Sequence, residues 1–485
     1  MRPRYSFGWV ASFIVSSCLA AGCASEAPDP LGRGNVPESE GALQHAAAEE
    51  DILVELRRVP GIVEATEMPI TVPGRRYLMI RFEEPVDHRH PDGPKFIDRF
   101  SMIYRSRDLP MVIESTGYDI KSEYVRMDEP AYMLASNEIL LEHRFFGESF
   151  PNPVDYSKVT SYQSASDEHR IIEALKPLFP KKWLSSGLSK GGMTAMSHRY
   201  FYPNDVYATV AYVAPLNYDT SDPRYVAFLE QVGDAGCRKK LKDFQVELLR
   251  RRSEIEPLLL ADAVANHGDG YEALGVHRAL DVTVTEAPFF FWQYGASGAL
   301  ACADVPPTNA TTQQLFDFLQ RIYFGNIADG GFGDRTNFEH AAGLYQAATE
   351  HGYAAFQYAH TRPYLTPGFF DEPAIFPPFG VEKPYSPLLS VKLGAWSYGR
   401  AERVILIYGE NDPWSAGAFS VSRSNDSYRY VAPQGDHNAG VYSLVESEKA
   451  EVIATLGRWM EVPVRPPISF PAKATSERAE RPRRF

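Results

Sequence analysis

The stretch Gly187-Leu188-Ser189-Lys190-Gly191 constrains the fold of this chain more than any other. It follows the short apolar run 182–185 and opens the helix-like run 192–196. In this motif a strand leads into a G-x-S-x-G turn, and a helix follows the turn. The turn is so tight that a side chain at either glycine would clash. The serine hydroxyl then lies at the N-terminal end of the helix, where N–H groups favour an alkoxide. The motif therefore predicts a nucleophilic Ser189.

The C-terminal third of the chain supplies a base and an acid for this serine. A serine hydroxyl is a weak nucleophile near neutral pH and needs a base that an acid orients. In the α/β-hydrolase fold the acid follows the serine along the chain, and the histidine comes last. Asp412 lies just after the predicted buried strand 403–408, and His437 follows the predicted strand 428–431. The order predicts an α/β-hydrolase with a Ser189, Asp412 and His437 triad.

Two other acids lie close enough to be alternatives to Asp412. Glu410 belongs to the same turn, and Asp436 immediately precedes His437. Asp436 is disfavoured because adjacent residues rarely aim at one another's side chains. Both stay open as alternatives at this point.

Several separated motifs resemble signatures of one enzyme family. The segments 82–88 and 96–100, the segment 141–151, the elbow, and the turn 411–414 are similar to those of the secreted serine exopeptidases related to prolylcarboxypeptidase. The elbow with Lys190 resembles the bacterial branch, the prolyl tri/tetrapeptidyl aminopeptidases; the lysosomal relatives tend to carry an aromatic residue there. The resemblance covers roughly residues 75–460. It implies an exopeptidase that releases short peptides with proline-directed specificity.

The triad implies an acyl-enzyme mechanism that needs no cofactor. His437 takes the Ser189 proton while the hydroxyl attacks an acyl carbonyl, and water later hydrolyses the acyl-enzyme. The backbone N–H of Lys190 and one from the loop after the third strand, which we assign to Gly117, are expected to bind the oxyanion. The Lys190 side chain is expected to point into solvent, with electrostatic assistance by its ammonium as the alternative.

A large helical insertion is predicted between the sheet strands 207–213 and 403–408. From 225 to about 367 the periodicity is mostly helical, as the apolar residues Leu241, Phe244, Leu248 and Leu249 illustrate. Insertions in this fold lie over the active-site end of the sheet, so we expect a helical cap. The predicted division is a signal peptide (1–22), a flexible tether (23–50), the hydrolase core (51–218 and 396–465), the cap (219–395) and a tail (466–485).

Candidate substrate-binding residues come from the aromatic run 289–294 and from the acids near it. A proline-selective pocket needs flat apolar walls, and we expect Trp414 with Phe291 or Trp292 to supply them. Each of these rings could instead belong to the core of the cap. A peptide amine needs a carboxylate, and Glu286 and Glu114 are candidates, although most acids are simply solvated surface charges.

The N-terminus has the pattern of an export signal. Arg2 and Arg4 precede a mainly apolar stretch, and small residues lead to Cys23. The end of this segment resembles a bacterial lipobox, which predicts lipidation of Cys23; ordinary cleavage between small residues is the alternative. The chain is therefore expected to be exported, as a cell-envelope lipoprotein or a secreted protein, with no membrane contact beyond this lipid.

Charge and cysteine content limit the possible partners. The net charge of −13 argues against nucleic acid or an anionic membrane surface as a partner. Cys237 and Cys302 are expected to form a disulfide in an oxidising compartment. No C-x-x-C or His-x-x-x-His pattern indicates a metal, and we expect His88 and His90 to lie in a solvated turn.

Two rival functions remain open at the level of sequence. An esterase or lipase would use the same triad, because either substrate forms an acyl-enzyme. A non-catalytic surface-binding lipoprotein on a hydrolase scaffold is the other, and the presence of all three triad residues in order is the strongest objection to it. Peptide substrates are favoured by the segment 141–151 and by the size of the cap.

Overall fold

The protein is described by a computed structural model, which covers residues 50–69, 74–120, 125–298, 300–328, 333–334, 340–356, 358–371, 373 and 384–468. The predicted signal peptide, Cys23 and nearly all of the predicted tether and tail lie outside these residues. Within the described ranges, no helix combines the length and the apolar character needed to cross a membrane.

The described residues form a nine-stranded sheet. Its strands are β1 (Ile62–Glu67), β2 (Arg76–Pro85), β3 (Lys95–Tyr104), β4 (Met111–Ser115), β5 (Asn137–Leu141), β6 (Trp183–Leu188), β7 (Ala208–Tyr212), β8 (Val404–Gly409) and β9 (Tyr428–Ala432). Their order across the sheet is β1-β2-β3-β5-β4-β6-β7-β8-β9. The pairs β1–β2, β2–β3 and β3–β5 are antiparallel, and the others are parallel. The predicted α/β-hydrolase fold is confirmed.

The α-helices connect and cover these strands. They are α1 (Ile52–Leu56), α2 (Glu129–Leu134), α3 (Ser161–Leu175), α4 (Lys190–Phe201), α5 (Arg224–Leu229), α6 (Ala235–Arg250), α7 (Arg252–Asp262), α8 (Val276–Gly298), α9 (Thr312–Ile322), α10 (Ala341–Gln346), α11 (Leu388–Gly399) and α12 (Glu446–Met460). On β4, Val112 packs with residues of α2 and α12, whereas Met111 and Ile113 pack with residues of α1 and α3. Because successive side chains of a strand point to opposite faces, helices cover both faces of the sheet.

The strands differ in how clearly the sequence announces them. All six residues of β8 are buried, as expected of a parallel strand covered on both faces, and its continuous apolar run was predicted. In β1 only Ala65 is buried, so the strand lacks both a continuous apolar run and a strict alternation. Because of this missing pattern, β1 is not among the strands that the sequence predicts.

The amphipathic pattern of residues 167–178 predicts a helix, and helix α3 begins six residues before that pattern. Thr160 caps it by accepting a hydrogen bond from Gln163 N at 3.3 Å. Its first turns bury polar side chains such as Ser164, which hides the helical period of apolar residues. Several of these polar side chains have partners outside α3; Glu168, for example, accepts a hydrogen bond from Ser115 Oγ, at the end of β4, at 2.9 Å.

The described elements between β7 and β8 are helices with a hydrophobic core of their own. This core contains Leu241, Phe244, Leu248 and Leu249, the residues whose spacing predicts a helix. Prolines inside helices leave carbonyl groups without a donor; in α8 the Gln245 side chain donates to Val284 O at 2.8 Å, four residues before Pro288. We call the residues between β7 and β8 the insertion. The limits of 219 and 395 for a cap stay predictions.

A disulfide joins Cys237 in α6 to Cys302 after α8. We expect its reduction to loosen the insertion before the sheet, because a cross-link across 65 residues contributes about 4 kcal/mol in the chain-entropy estimate. Hydrogen exchange with and without reductant should show faster exchange in α6–α9 and unchanged protection in β4–β8. A Cys237→Ser, Cys302→Ser variant should reproduce that pattern without reductant. Equal loss of protection in both regions would contradict the prediction.

Candidate active site

Ser189 occupies the turn between β6 and α4 in a strained backbone conformation. Its φ is 57° and its ψ is −122°, a combination that costs residues other than glycine on the order of 1–3 kcal/mol. The Ser189 N–H donates to Tyr212 O at 2.8 Å, and its carbonyl accepts from Met193 N at 3.0 Å. The turn is therefore held from β7 on one side and from α4 on the other. A strained strand-to-helix turn of this kind is the nucleophile elbow.

The glycines of the elbow permit a close approach of α4 to the sheet. A Cβ on Gly191 would lie 2.1 Å from the carbonyl oxygen of Ser115, at the end of β4. A Cβ on Gly187 would lie 2.4 Å from the carbonyl of Gly191. Neither Gly187 nor Gly191 can carry a side chain unless backbone atoms move. This steric limit explains why the motif has glycine at both positions.

Asp412 and His437 meet beyond the ends of β8 and β9. His437 Nδ1 lies 2.8 Å from Asp412 Oδ2, and Asp412 Oδ1 accepts a hydrogen bond from Trp414 N at 3.1 Å. Both side chains are buried. Burial raises the pKa of the Asp412 carboxyl, and the contact with His437 opposes that rise. A carboxylate that fixes Nδ1 leaves Nε2 as the atom that can take a proton.

The two alternative acids have other hydrogen-bond partners. Glu410 is exposed, and its Oε2 accepts from Gln434 N at 2.7 Å. Asp436 Oδ1 accepts from Asn438 N at 2.9 Å. The hydrogen bond to the imidazole therefore favours Asp412 as the acid.

The imidazole of His437 is held from the insertion as well as from the sheet. Its backbone N–H donates to Gln293 O on α8 at 2.9 Å, and its ring meets the Tyr294 ring edge to face with centroids 5.9 Å apart. The Nε2 atom is buried, and no described residue bonds to it, Ser189 included. Because catalytic hydrogen bonds in free enzymes are often long and tighten on substrate binding, Nε2 is available for the serine proton.

Two backbone donors lie where the loop after β4 packs against the start of α4. Gly117 has a φ of +75°, and a Cβ there would lie 2.5 Å from Gly191 N. In this loop Thr116 N donates to the last carbonyl of β5, and Tyr118 N donates to Thr116 Oγ1 at 3.0 Å. Among the described residues, none accepts a hydrogen bond from Gly117 N or Lys190 N. Buried N–H groups without a partner are rare, so these two fit the predicted oxyanion hole.

The Lys190 side chain does not point into solvent, and that prediction is wrong. Only 6% of the residue is exposed. Its Nζ donates to Gly117 O at 2.9 Å and lies 5.2 Å from the centroid of the Phe146 ring and 5.6 Å from that of Tyr118. Burial lowers the pKa of Lys190 to about 7. The ammonium therefore ties the start of α4 to the loop that contains Gly117.

The segment 141–151 supports the same loop from below. Glu142 Oε1 accepts a hydrogen bond from Ile120 N at 2.7 Å. The N–H of His143 donates to Tyr118 O at 2.8 Å. The segment 141–151 thus positions the loop after β4, a role that its sequence does not indicate. The sequence of Glu142 and the three residues after it does not reveal these contacts, because the partners lie in the loop after β4.

Trp414 lies in a group of aromatic rings next to the imidazole. Its ring centroid is 6.4 Å from that of His437, 4.9 Å from Phe289, 5.5 Å from Tyr225 and 5.8 Å from Tyr353. We call Trp414, Phe289, Tyr225 and Tyr353 the aromatic cluster. The placement of Trp414 beside the candidate base agrees with its predicted place in a substrate pocket.

Phe291 packs in the core of the insertion and is 1% exposed. The aromatic ring of α8 that contacts Trp414 is that of Phe289. In an α-helix two positions correspond to a rotation of about 200°, so Phe289 and Phe291 lie on opposite sides of α8. Trp292 packs against Phe291 with centroids 5.3 Å apart and also against the hydrophobic cluster that contains Phe289 and Trp414. A role of Phe291 or Trp292 in a substrate pocket stays a prediction.

The two acids proposed for the substrate amine differ in their surroundings. Glu114 is buried and forms an ion pair with the exposed Arg126, and burial raises the pKa of Glu114 to about 7. Because Arg126 already supplies its positive charge, the prediction that Glu114 binds an amine is not supported. Glu286 lies on α8, 1% exposed, one turn before Phe289.

Two groups of side chains in the described ranges bring together three potential metal ligands. One contains Glu84, His88 and Asp167, and the other contains His169, Glu173 and Asp205. In the first group Arg144 pairs with Asp167 and Arg170 pairs with Glu84, so arginines already supply the positive charge. His88 Nε2 lies 2.6 Å from Asp167 Oδ1, which contradicts the prediction of a solvated turn for this residue.

Comparison with known proteins identifies one relative along most of the chain and one along about a third of it. The prolyl tri/tetrapeptidyl aminopeptidase of Streptomyces mobaraensis is 34% identical over 438 residues, which are 89% of each chain. The lysosomal Pro-X carboxypeptidase of Mus musculus is 26% identical over 181 residues, 32% of this chain and 35% of that protein.

A solved structure and a family profile complete the comparison. The proline iminopeptidase of Mycobacterium smegmatis covers 79% of this chain and 99% of its own, with 14% identity and a TM-score of 0.37. The profile of the PS-10 peptidase S37 family matches residues 46–477. With a match of this length and an aminopeptidase relative at 34% identity, the chain belongs to the PS-10 peptidase S37 family and is a serine peptidase.

Proposed function

We propose that this peptidase is an exopeptidase that removes tripeptides and tetrapeptides ending in proline from the N-termini of peptides. The observation that carries the proposal is the buried pair of Asp412 and His437 in a chain whose Ser189 has the strained elbow conformation. The substrate class is supported by the relative from Streptomyces mobaraensis, a prolyl tri/tetrapeptidyl aminopeptidase.

In the first half of the proposed reaction, Ser189 is acylated. Its Oγ forms a bond to the carbonyl carbon after proline while His437 Nε2 takes the hydroxyl proton. Asp412 holds Nδ1 and stabilises the imidazolium. The same Nε2 proton then passes to the departing amine, the C–N bond breaks, and the acyl part stays on Ser189 as an ester.

In the second half, water replaces the departed amine. His437 takes a proton from the water, whose oxygen attacks the ester carbonyl. The proton then passes from His437 to Ser189 Oγ as the ester bond breaks, and the peptide leaves as a carboxylic acid that ionises at its proline. In both halves the negative oxygen of the tetrahedral intermediate accepts hydrogen bonds from Gly117 N and Lys190 N. No step of this proposed reaction requires a cofactor or a metal.

The proline ring of the substrate is proposed to bind against Trp414. This ring stands next to His437, is backed by Phe289 and presents an apolar face, as a rigid pyrrolidine requires. Trp292 is the second candidate wall.

A panel of peptides and esters tests the proposed function. The purified protein is incubated with peptides that carry proline at positions two to five, with matched peptides that carry alanine there, and with short-chain p-nitrophenyl esters. Mass spectrometry should find products ending at proline in positions three and four. A fluorophosphonate probe should label the wild type and leave the Ser189→Ala variant unlabelled.

Each rival function has its own outcome in this experiment. Rapid hydrolysis of the p-nitrophenyl esters together with intact peptides would assign the chain to the esterases. The absence of both labelling and turnover would favour a binding protein on a hydrolase scaffold. Cleavage of alanine and proline peptides at equal rates would remove the proposed proline specificity.

We also propose export with a lipid at Cys23, on the pattern of the first 23 residues. Cys23→Ser should move the protein from the membrane fraction to the soluble fraction without changing peptidase activity, because the lipid would be the anchor. Cys237→Ser should stay in the membrane fraction and serves as a control for cysteine replacement. A wild-type protein found only in the soluble fraction would show ordinary cleavage of the signal.

A further inference from the structure

We propose that Glu286 binds the N-terminal ammonium group of the peptide substrate and so sets the length of the peptide that is released. The inference rests on the proposed function, since it names how that function measures its substrate. Asp371 is the second acid of this site. Three features support an amine site here: the surroundings of Glu286, the aromatic rings near it and its distance from His437.

Glu286 is a buried carboxyl group without a partner among the described residues. It is 1% exposed, its Oε2 is buried, and no described residue forms a hydrogen bond or an ion pair with it. Burial and the neighbouring Asp371 raise the pKa of Glu286. Buried carboxylates in proteins are normally paired, because an unpaired charge is costly to remove from water. An organic cation would supply the missing charge and the missing donors.

Three tyrosines lie near the two acids. After burial, the charges of Glu286 and Asp371 are the next causes that raise the pKa of Tyr323 and Tyr353, which places both phenols near the acids. Tyr358 is affected in the same way, and its buried hydroxyl has no partner among the described residues. Aromatic rings attract ammonium groups through their negative faces. The site therefore offers carboxyl oxygens, a free hydroxyl and π faces.

Helix α8 fixes the distance from this site to the catalytic base. Glu286 precedes Gln293 by seven positions (293 − 286), and Gln293 O accepts the hydrogen bond from His437 N. At 1.5 Å per residue this corresponds to roughly 10 Å along the helix. An extended peptide spans about 3.3–3.6 Å per residue, so three residues cover about 10 Å. An ammonium held by Glu286 therefore matches an acyl part of three or four residues.

The aromatic cluster connects the two ends of this distance. Phe289 stands one turn after Glu286 on α8 and contacts Trp414, whose ring is next to His437. Tyr353 contacts Trp414 and lies near Glu286. A peptide with its proline against Trp414 would thus extend along this cluster toward the two acids.

The test compares substrates with free and blocked N-termini. Ala-Ala-Pro-p-nitroanilide and its N-acetyl form are assayed with the wild type, Glu286→Gln and Asp281→Asn. Asp281 is a matched control, because it is buried on the same helix but is paired with Arg252. Glu286→Gln should lower kcat/KM for the free peptide by about 10- to 100-fold, mainly through KM, and leave the acetylated peptide unchanged. Asp281→Asn should keep the ratio of the wild type.

The outcomes separate this inference from the proposed function. An unchanged ratio in a Glu286→Gln protein that still reacts with a fluorophosphonate overturns the amine site and leaves the peptidase intact. A wild type that cleaves none of the peptides overturns the proposed function itself. If Glu286→Gln fails to fold, Glu286→Asp is used, together with a wild-type series of Pro, Ala-Pro, Ala-Ala-Pro and Ala-Ala-Ala-Pro anilides. Equal rates across that series, or for free and acetylated forms, also overturn the inference.

Discussion

Replacing Ser189 with alanine is expected to lower kcat by about 10⁴- to 10⁶-fold while the protein stays folded. Alanine keeps the small volume of the elbow position and removes only Oγ, the atom that forms the acyl bond. The hydrogen bonds of the Ser189 backbone to Tyr212 and Met193 remain possible. Steady-state assays with Ala-Ala-Pro-p-nitroanilide measure kcat, and thermal unfolding checks that the melting temperature changes little.

The other two triad residues should behave as one unit with Ser189. Asp412→Asn and His437→Ala should each lower kcat by several orders of magnitude, and the double variant should be little worse than the worse single one. Glu410→Gln is the matched control, since this exposed acid contacts Gln434 instead of the imidazole. A severe loss in Glu410→Gln with an active Asp412→Asn protein would show that the acid is misassigned.

The sequence contains enough information for the central strands and for the elbow. Strands β4 to β8 are almost entirely buried, and the continuous apolar run of β8 is the easiest of them to recognise. The elbow is recognisable because its glycines meet a local steric requirement: Gly191 has backbone of β4 at contact distance. Asp412 and His437 are recognisable because both follow such strands. Each of these signals is local, or repeats at the end of successive strands.

Contacts between buried polar side chains are not local, and the sequence does not reveal them. Arg144 lies 2.6 Å from Asp167, a residue of α3 that looks like part of a solvated helix face. Lys190 looks like a surface lysine because its neighbours in sequence say nothing about the rings that Tyr118 and Phe146 bring to it. Glu114 looks unpaired until the fold brings Arg126 beside it. In each case the partner lies in another element.

The orientation of the aromatic run was the remaining gap. Six residues from Phe289 to Tyr294 include five aromatic rings, so every face of α8 is apolar here and the helical period cannot single out one ring. The structure selects Phe289 because Trp414 packs on that face. Gln293, the single polar residue of the run, marks the same face, and its carbonyl receives the His437 N–H. That signal was present in the sequence.

Gly117→Ala is expected to lower kcat by about 10²- to 10³-fold, the usual effect of losing one oxyanion donor. The new Cβ would lie 2.5 Å from Gly191 N and 2.8 Å from the carbonyl carbon of Lys190. These are backbone atoms of α4, which is anchored by the elbow, so the loop after β4 has to move instead. The Gly117 N–H then leaves its place beside Lys190 N. Because this donor acts on the transition state more than on the bound peptide, KM should change little.

Gly368→Ala is the control that separates a clash from backbone strain. Gly368 has a φ of +78°, close to that of Gly117, but no atom lies within 4 Å of an added Cβ. Both variants carry the same cost of a left-handed backbone at a residue with a side chain, and both should lose a similar, small part of their thermal stability from that cause. Only Gly117→Ala should lose kcat. A fully active Gly117→Ala protein would show that the oxyanion accepts no hydrogen bond from this loop, and Lys190 N would then act with a different second donor.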